Sequence, residues 1–428
     1  MKKTFALILV LLLLFSLAAC GGKDPETKTT PTPPPATPTS APDEQEPSEE
    51  TEEPLGEVIK IGHIVDLTGV ESMTGEEARL SLEFAVEWIG GKIGNRPVEI
   101  IVGDSQSQPS VAVDVAKKMV EQDGVVAIFG PTQIGHKSAV ADYIANAGIP
   151  LIFYNPTPAR LLGGNEWVIG AAGATPQMPT VMATYLYNEL GYRKVHTLAQ
   201  DNTGGRSFID PFAETFQALG GTIDQQVWAP VATPDFGPYL VNLGEADALV
   251  AWMSGSDAIA LWTAWYEMGI NEKMPMVTPM HGGFTDYYIC DALANTKPEV
   301  AEAMLGALAP ITYAVTSETP ENQDFVDAWI EKFGYLPKGG NLPGGCSQAI
   351  LLFKTAVEAT GLDTSPEKLR EAILAADIKG PEGHTYFAED SHASTRDVYI
   401  VKLVKLEDGS YNYEMLKEYN DVPPSGLK

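Results

Sequence analysis

The sequence predicts an α/β fold of two Rossmann-like lobes, each a parallel sheet flanked by helices. Three observations lead there. Strand-like and helix-like segments alternate with short connections, the alternation restarts after a first complete run, and the strand segments are continuous apolar stretches. Alternation of this kind builds parallel sheets through crossover helices. A strand covered on both faces has no polar face to present, hence the unbroken apolar runs. From Glu57 onward the composition is globular, and about 370 residues suffice for two domains of ordinary size.

The first run opens with a β-branched strand over 58–66, VIKIGHIVD. A turn follows, in which Thr74 stands three residues before Glu77 in capping-box spacing. Leu82, Ala85, Val86 and Ile89 then recur at helical spacing over 78–89. Strands are predicted over 98–102, 125–129 and 150–154, with helices over 109–122 and 137–147 between them. The second run has helices over 178–190, 207–219 and 256–268, a short one over 239–243, and strands over 194–199, 222–228, 248–253 and 274–278. Glycines at 191, 220 and 269 end its helices. Helices over 322–333, 348–360 and 366–376 and a terminal hairpin (399–406 with 411–417) complete the chain.

At the N-terminus, Lys2 and Lys3 precede an apolar run from Phe5 to Leu17, shorter than a bilayer span but suited to a secretory signal core. It ends in Leu17-Ala18-Ala19-Cys20-Gly21, which resembles the lipobox of bacterial lipoproteins and implies cleavage before Cys20 and lipid on its sulfur. An ordinary signal peptide with an incidental cysteine is the plainer alternative. Residues 21–56 are rich in Pro, Thr, Ser and Glu and hold no large apolar residue before Leu55. Such a segment cannot offset its ordering entropy and reads as a disordered tether, reaching roughly 100 Å if fully extended at ~3 Å per residue.

The order of landmarks over most of 57–418 resembles a known family. IKIGHIVDLTGVESMTGEEARLSLEFAVEWI is similar to its opening strand, glycine loop and first helix. GDSQSQPSVAVDVAKKMVEQDGVVAIFGP carries its D-x-x-x-x-P segment and I-x-G-P strand end, AGIPLIFYNPTP its fourth strand, DNTGGRSF its D-x-x-Y-G loop, and GCSQAILLFKTAVEATG a late helix. The family is the Leu/Ile/Val type of the periplasmic-binding-protein-like I fold, the receptor component of ABC importers. The resemblance implies one lobe of 57–174 plus 309–378, another of 175–308 plus 379–423, and a three-strand hinge near 174–176, 306–310 and 376–380. Ligand would bind in the cleft at strand C-terminal ends.

Candidate ligand-binding residues follow. Gly130-Pro-Thr-Gln-Ile-Gly-His-Lys-Ser138 lies between a strand and a helix, one residue from a phosphate-binding loop. His136 intervenes, which turns Lys137 by about 100° around the helix, so a phosphate loop is not expected. Leading N–H groups of a helix still attract an anion, and in the family this loop meets the ligand's carboxylate. Thr132, Gln133 and Ile134 are therefore cleft candidates; a plain turn is the alternative. Asn155 and Thr157 end the fourth strand, where the family contacts ligand; a cap for the helix that follows is the alternative for Thr157. Trp252, Ser254 and Gly255 end the strand of 248–253, and His281 follows that of 274–278. Met73, in the opening glycine loop, Gln177, just past the first crossing, and Gly204 complete the set. Trp262, Trp265 and Tyr266 share a helical spacing that favours core or surface, and Asp104 reads as a residue that orders its loop.

Two departures from the family bear on the ligand. Gly204 stands where an aromatic residue is usual, and Thr278-Pro-Met-His-Gly282 lacks the usual carboxylate. A buried ammonium without a counter-charge is costly. The expected ligand is a small carboxylate or other polar compound, with an aromatic or branched apolar body, in preference to an α-amino acid.

With 57 acidic against 28 basic residues the net charge is −29, which opposes nucleic acid and anionic membranes as partners. Cys290 and Cys346 belong to no CxxC or Cys/His cluster, so no metal or cofactor is expected. Gly345-Cys346-Ser347 resembles a degenerate nucleophile elbow, but the preceding KGGNLPG reads as loop rather than strand, and no enzyme is predicted. The reading is a monomeric, lipid-anchored, extracytoplasmic solute receptor that closes on a small molecule and delivers it to an ABC permease. A ligand-sensing ectodomain that partners a signalling receptor is the alternative.

Overall fold

The computed structural model describes residues 56–69, 71–337 and 341–428. Cys20 and nearly all of the segment read as a tether lie outside the described residues.

The first sheet has six strands in the order β2 (Lys92–Ile93), β3 (Arg96–Asp104), β1 (Ile59–Val65), β4 (Ala127–Phe129), β5 (Leu151–Phe153), β6 (Val168–Gly170). All pair in parallel except two-residue β2. Ile59, Ile61 and Val65 pack under α1 (Ser72–Trp88), α12 (Asn341–Ala359) and α13 (Pro366–Leu374). Ile64, Ile128 and Phe153 pack on the other face against α2 (Pro109–Lys118) and α3 (Ile134–Ala147). Both faces are covered, as the apolar runs require. α2 is extended by a wider turn over Met119–Asp123, and α4 (Ala159–Leu162) is a single turn.

The second sheet repeats the plan: β10 (Met276–Val277), β9 (Ala248–Trp252), β7 (Lys194–Gln200), β8 (Thr222–Ala229), all parallel. α5 (Gln177–Asn188) and α6 (Thr203–Ala218) cover one face, where Phe212 and Phe216 meet Val195 and Val250. α7 (Gly237–Leu240), α8 (Ser256–Glu267), α9 (Tyr287–Thr296) and α10 (Pro298–Met304) cover the other. Trp262 and Trp265 are core residues there.

A third, antiparallel sheet was not foreseen beyond its last hairpin. It orders β11 (Leu308–Ile311), β14 (Ser394–Lys405), β13 (Gly383–Phe387), β12 (Asp377–Gly380), with β15 (Tyr411–Val422) also on β14. β14 and β15 outrun the expected 399–406 and 411–417 because their outer ends pair where apolar character fades. α11 (Pro320–Phe333) lies before α12. α1 begins at Ser72, so Thr74 sits within its first turn rather than capping it. α12 begins at Asn341, which makes the expected 338–344 loop partly helical and leaves Cys346 buried inside a helix, not on a strand-to-helix turn. Cys290 and Cys346 are free, buried thiols.

Candidate functional site

In the first sheet β1 is flanked by β3 and β4, and in the second β7 is flanked by β8 and β9. The helices leaving β1 and β4 go to opposite faces, as do those leaving β7 and β9, which opens a crevice at the C-terminal ends of each pair. One cavity of about 570 Å³ is lined by Glu71 beyond β1, Thr132 beyond β4, Gln200 of β7 and Trp252 of β9.

Both junctions after the first strand are built alike. The first turn of α1 packs on the end of β1 so closely that a Cβ at Gly75 would fall on the Asp66 carbonyl. The first turn of α6 packs on the end of β7 in the same way, with Gly205 against the Gln200 carbonyl. Asp104 orders the loop before α1, accepting hydrogen bonds from Leu67 N (2.9 Å) and Thr68 Oγ1 (2.7 Å). Asn202 caps α6, its Oδ1 accepting from Gly205 N at 2.8 Å.

The first-lobe wall is rich in donors. Thr132, Gln133 and Ile134 line it, together with Gly135 and Ser138 of α3. No side chain caps α3, so its leading N–H groups remain open to an anion. Arg160, on α4, adds a guanidinium beside Ser138 Oγ, 3.3 Å from Nη2. Asn155 also lines the wall and donates from Nδ2 to Thr132 O at 3.1 Å.

The second-lobe wall is aromatic and rich in acceptors. Trp252 lines the cavity, its Nε1 donating to Gly282 O at 2.8 Å and its ring 4.9 Å from that of Phe208. Gly204 lies under the indole edge. Ser254 Oγ donates to Gln200 Oε1 (3.2 Å), and Gln200 Nε2 donates to buried Asp257 (2.7 Å), which leaves the lone pairs of Ser254 for a ligand. His281 is buried at the cavity, Nε2 3.6 Å from Asp286 Oδ1. Burial pushes the His281 imidazole down, with Asp286 opposing, and pushes the Asp286 carboxyl up. From the facing lobe Glu71 also lines the cavity; burial, and then Asp66, raise it. Tyr287 hydrogen-bonds Glu77 across the cleft.

The cavity thus gathers Thr132, Gln133, Ile134 and Asn155 from one lobe and Gly204, Trp252, Ser254 and His281 from the other. Four sequence candidates lie elsewhere. Met73 is 68% exposed on the rim helix. Thr157 is fully buried behind the wall, its hydroxyl bonded to Lys137 Nζ and Asn155 O. Gln177 is buried with both ends of its amide spent on backbone: Oε1 accepts from Ala174 N (2.8 Å), and Nε2 donates to Ser394 O (3.1 Å) and Val422 O (2.7 Å). Gly255 precedes α8 with φ of 59°, a left-handed turn outside the cavity.

Arg160 and Asp286 escaped the sequence reading. Arg160 sits on a single turn with no periodicity to orient it. Asp286 lies eight residues beyond Thr278, and a tight turn returns it: Gly283 N donates to its Oδ2 at 2.6 Å. The wall therefore does hold carboxylates, correcting the expectation drawn from 278–282. Among the described residues no cluster of three His, Cys, Asp or Glu could hold a metal, and no helix is long and apolar enough to cross a membrane.

Two α/β lobes whose switch points face one shared, polar and aromatic cavity define a solute-binding receptor. The sequence profile of the periplasmic binding proteins matches residues 58–410, and the chain belongs to that family. It is 23% identical to Leu/Ile/Val-binding protein homolog 6 of Brucella melitensis over 87% of this chain and 94% of the relative. An ABC transporter substrate-binding protein from Sphaerobacter thermophilus is similar in structure, with a TM-score of 0.78 and 29% identity over 86% of this chain and 99% of that one. A solute-binding protein of an ABC transporter from Rhodopseudomonas palustris HaA2, in complex with p-hydroxybenzoic acid, has a TM-score of 0.77 and 22% identity over 86% and 99%.

Proposed function

We propose that this chain is the extracytoplasmic receptor of an ABC importer, anchored through lipid on Cys20 and held off the membrane by residues 21–56. Its lobes, 57–174 plus 309–378 and 175–308 plus 379–423, close about the hinge on a small aromatic carboxylate that bears a hydroxyl. The observation that carries this reading is the asymmetry of the cavity: open helix N–H groups and Arg160 on the α3–α4 part of the first-lobe wall, Glu71 and Glu77 on its α1 part, and Trp252 with Ser254 and Asp286 on the facing wall. A carboxylate suits the first wall. A ring suits Trp252 and Phe208. A hydroxyl suits Ser254 and Asp286. Burial raises the Asp286 and Glu71 carboxyls, and a hydroxyl hydrogen on the ligand suits such acceptors. The p-hydroxybenzoic acid in the Rhodopseudomonas palustris protein supports the same ligand class.

Calorimetry and thermal shift with 4-hydroxybenzoate, benzoate and leucine test the reading. At a hundred times Kd a true ligand stabilises by about 2.7 kcal/mol. The hydroxybenzoate is expected to stabilise most. Stabilisation by leucine and by neither aromatic acid would overturn the ligand class.

A further inference from the structure

The lysine of the near-phosphate loop turns away from the cavity and is not idle. Lys137 is fully buried, in the first turn of α3. Its Nζ donates to Asn155 O (2.9 Å), Pro156 O (3.0 Å) and Thr157 Oγ1 (3.1 Å), and stands 4.8 Å from the centre of the Phe153 ring. Three acceptors and an aromatic face match the three hydrogens of an ammonium. No carboxylate pairs with it among the described residues. Asp66 instead accepts from Ser105 and Thr132, with His136 Nδ1 3.2 Å from its Oδ1.

A cation in this position has two forces against it. Burial lowers the amine well below the usual lysine range, and the positive end of α3 repels it. An anion on the far side of the wall relieves both. That wall is thin: Asn155 and Pro156, whose carbonyls hold Nζ, themselves line the cavity beside Gln133, Ile134 and Arg160. Charge behind packed protein is less screened than charge in water and acts on whatever enters.

We propose that Lys137 is a specificity-determining residue: carried as an ammonium when an anion lies beyond Asn155 and Pro156, its side chain makes this end of the cavity select a carboxylate over an uncharged isostere. The proposal rests on the carboxylate reading above and adds a residue that never touches the ligand.

The test compares matched probes, 4-hydroxybenzoate with 4-hydroxybenzamide and benzoate with benzamide, by calorimetry on the purified chain and on Lys137→Met and Lys137→Gln. The glutamine keeps donors for the two carbonyls without the charge and serves where the methionine variant folds poorly. Wild type is expected to prefer each carboxylate. Both variants are expected to lose about tenfold in carboxylate affinity while binding the amides within about twofold of wild type. Equal losses for acid and amide, or an unchanged ratio, would overturn the proposal and leave Lys137 as a strut of the wall. A wild type that prefers neither carboxylate would bring down the ligand class itself, and this proposal with it.

Discussion

A Cβ at Gly204 would lie 3.1 Å from the edge of the Trp252 indole, so the missing aromatic of that loop and the presence of Trp252 are one arrangement. The ring arrives from β9 instead of α6 and is locked by its bond to Gly282. His63, inside β1, shows how far burial can act on one side chain. Its Nε2 lies 3.0 Å from the Tyr154 hydroxyl, and burial, aided by Arg79, pushes its pKa from 6.5 down to about 3. The folded state therefore binds a proton less readily than the unfolded chain. The associated stability is complete above about pH 6.5 and is lost as pH falls toward 3, an upper bound of about 5 kcal/mol. His63→Gln keeps a partner for Tyr154 but cannot titrate. Urea unfolding at pH 7, 5 and 4 is expected to show a shallower loss for the variant than for wild type; parallel slopes would mean that His63 is not held neutral.

At the scale of elements, the two strand–helix junctions decide where the cleft walls stand. Gly205→Ala would drive a methyl into the Gln200 carbonyl and push α6 off β7, with an expected loss of about 3 kcal/mol. Gly163→Ala, whose methyl meets nothing within 4 Å at a φ of −109°, is expected to change stability by under about 0.5 kcal/mol. Denaturant midpoints with equal slopes would measure both, and equal effects would refute the steric account. These junctions also show what a sequence discloses. The parallel strands other than three-residue β6 were legible because burial leaves a run of apolar, often β-branched residues, and most helices because one apolar side recurs. α12 was read seven residues short because Asn-Leu-Pro-Gly-Gly resembles a loop. In the fold, Gly344 and Gly345 are there for close approach, against the Tyr313 ring and the Tyr154 carbonyl, and packing overrides their low helix propensity. β12 and β13 are too short and too mixed to announce themselves. On the cleft, residues at strand ends were found because topology puts strand ends there; Arg160 and Asp286 needed the path of a loop.

At the scale of the molecule, buried polar groups tie the third sheet and its flanks to one another and to the start of α5. Gln177 ties Ala174 to Ser394 and Val422. Arg396 pairs with Glu382, both fully buried, and Thr312 Oγ1 adds a bond to Glu382 at 3.2 Å. Burial raises the Glu382 carboxyl while Arg396 draws it back. Such groups permit a bend only where their bonds survive it, which suits a hinge of few stable angles. The position of Gln177 separates two roles by experiment. Were it a ligand contact, Gln177→Leu would weaken 4-hydroxybenzoate binding a hundredfold or so and leave unfolding nearly untouched. As a clasp, its loss strands three buried backbone groups, for an expected destabilisation of about 2–4 kcal/mol. Affinity then falls only by the drop in the closed fraction, a few-fold, because no cavity contact is removed. Small-angle scattering supplies the third reading: wild type is expected to contract on adding the hydroxybenzoate, and the variant to start more open and contract further. A variant that unfolds like wild type yet no longer binds would return Gln177 to the pocket and remove the clasp from the hinge.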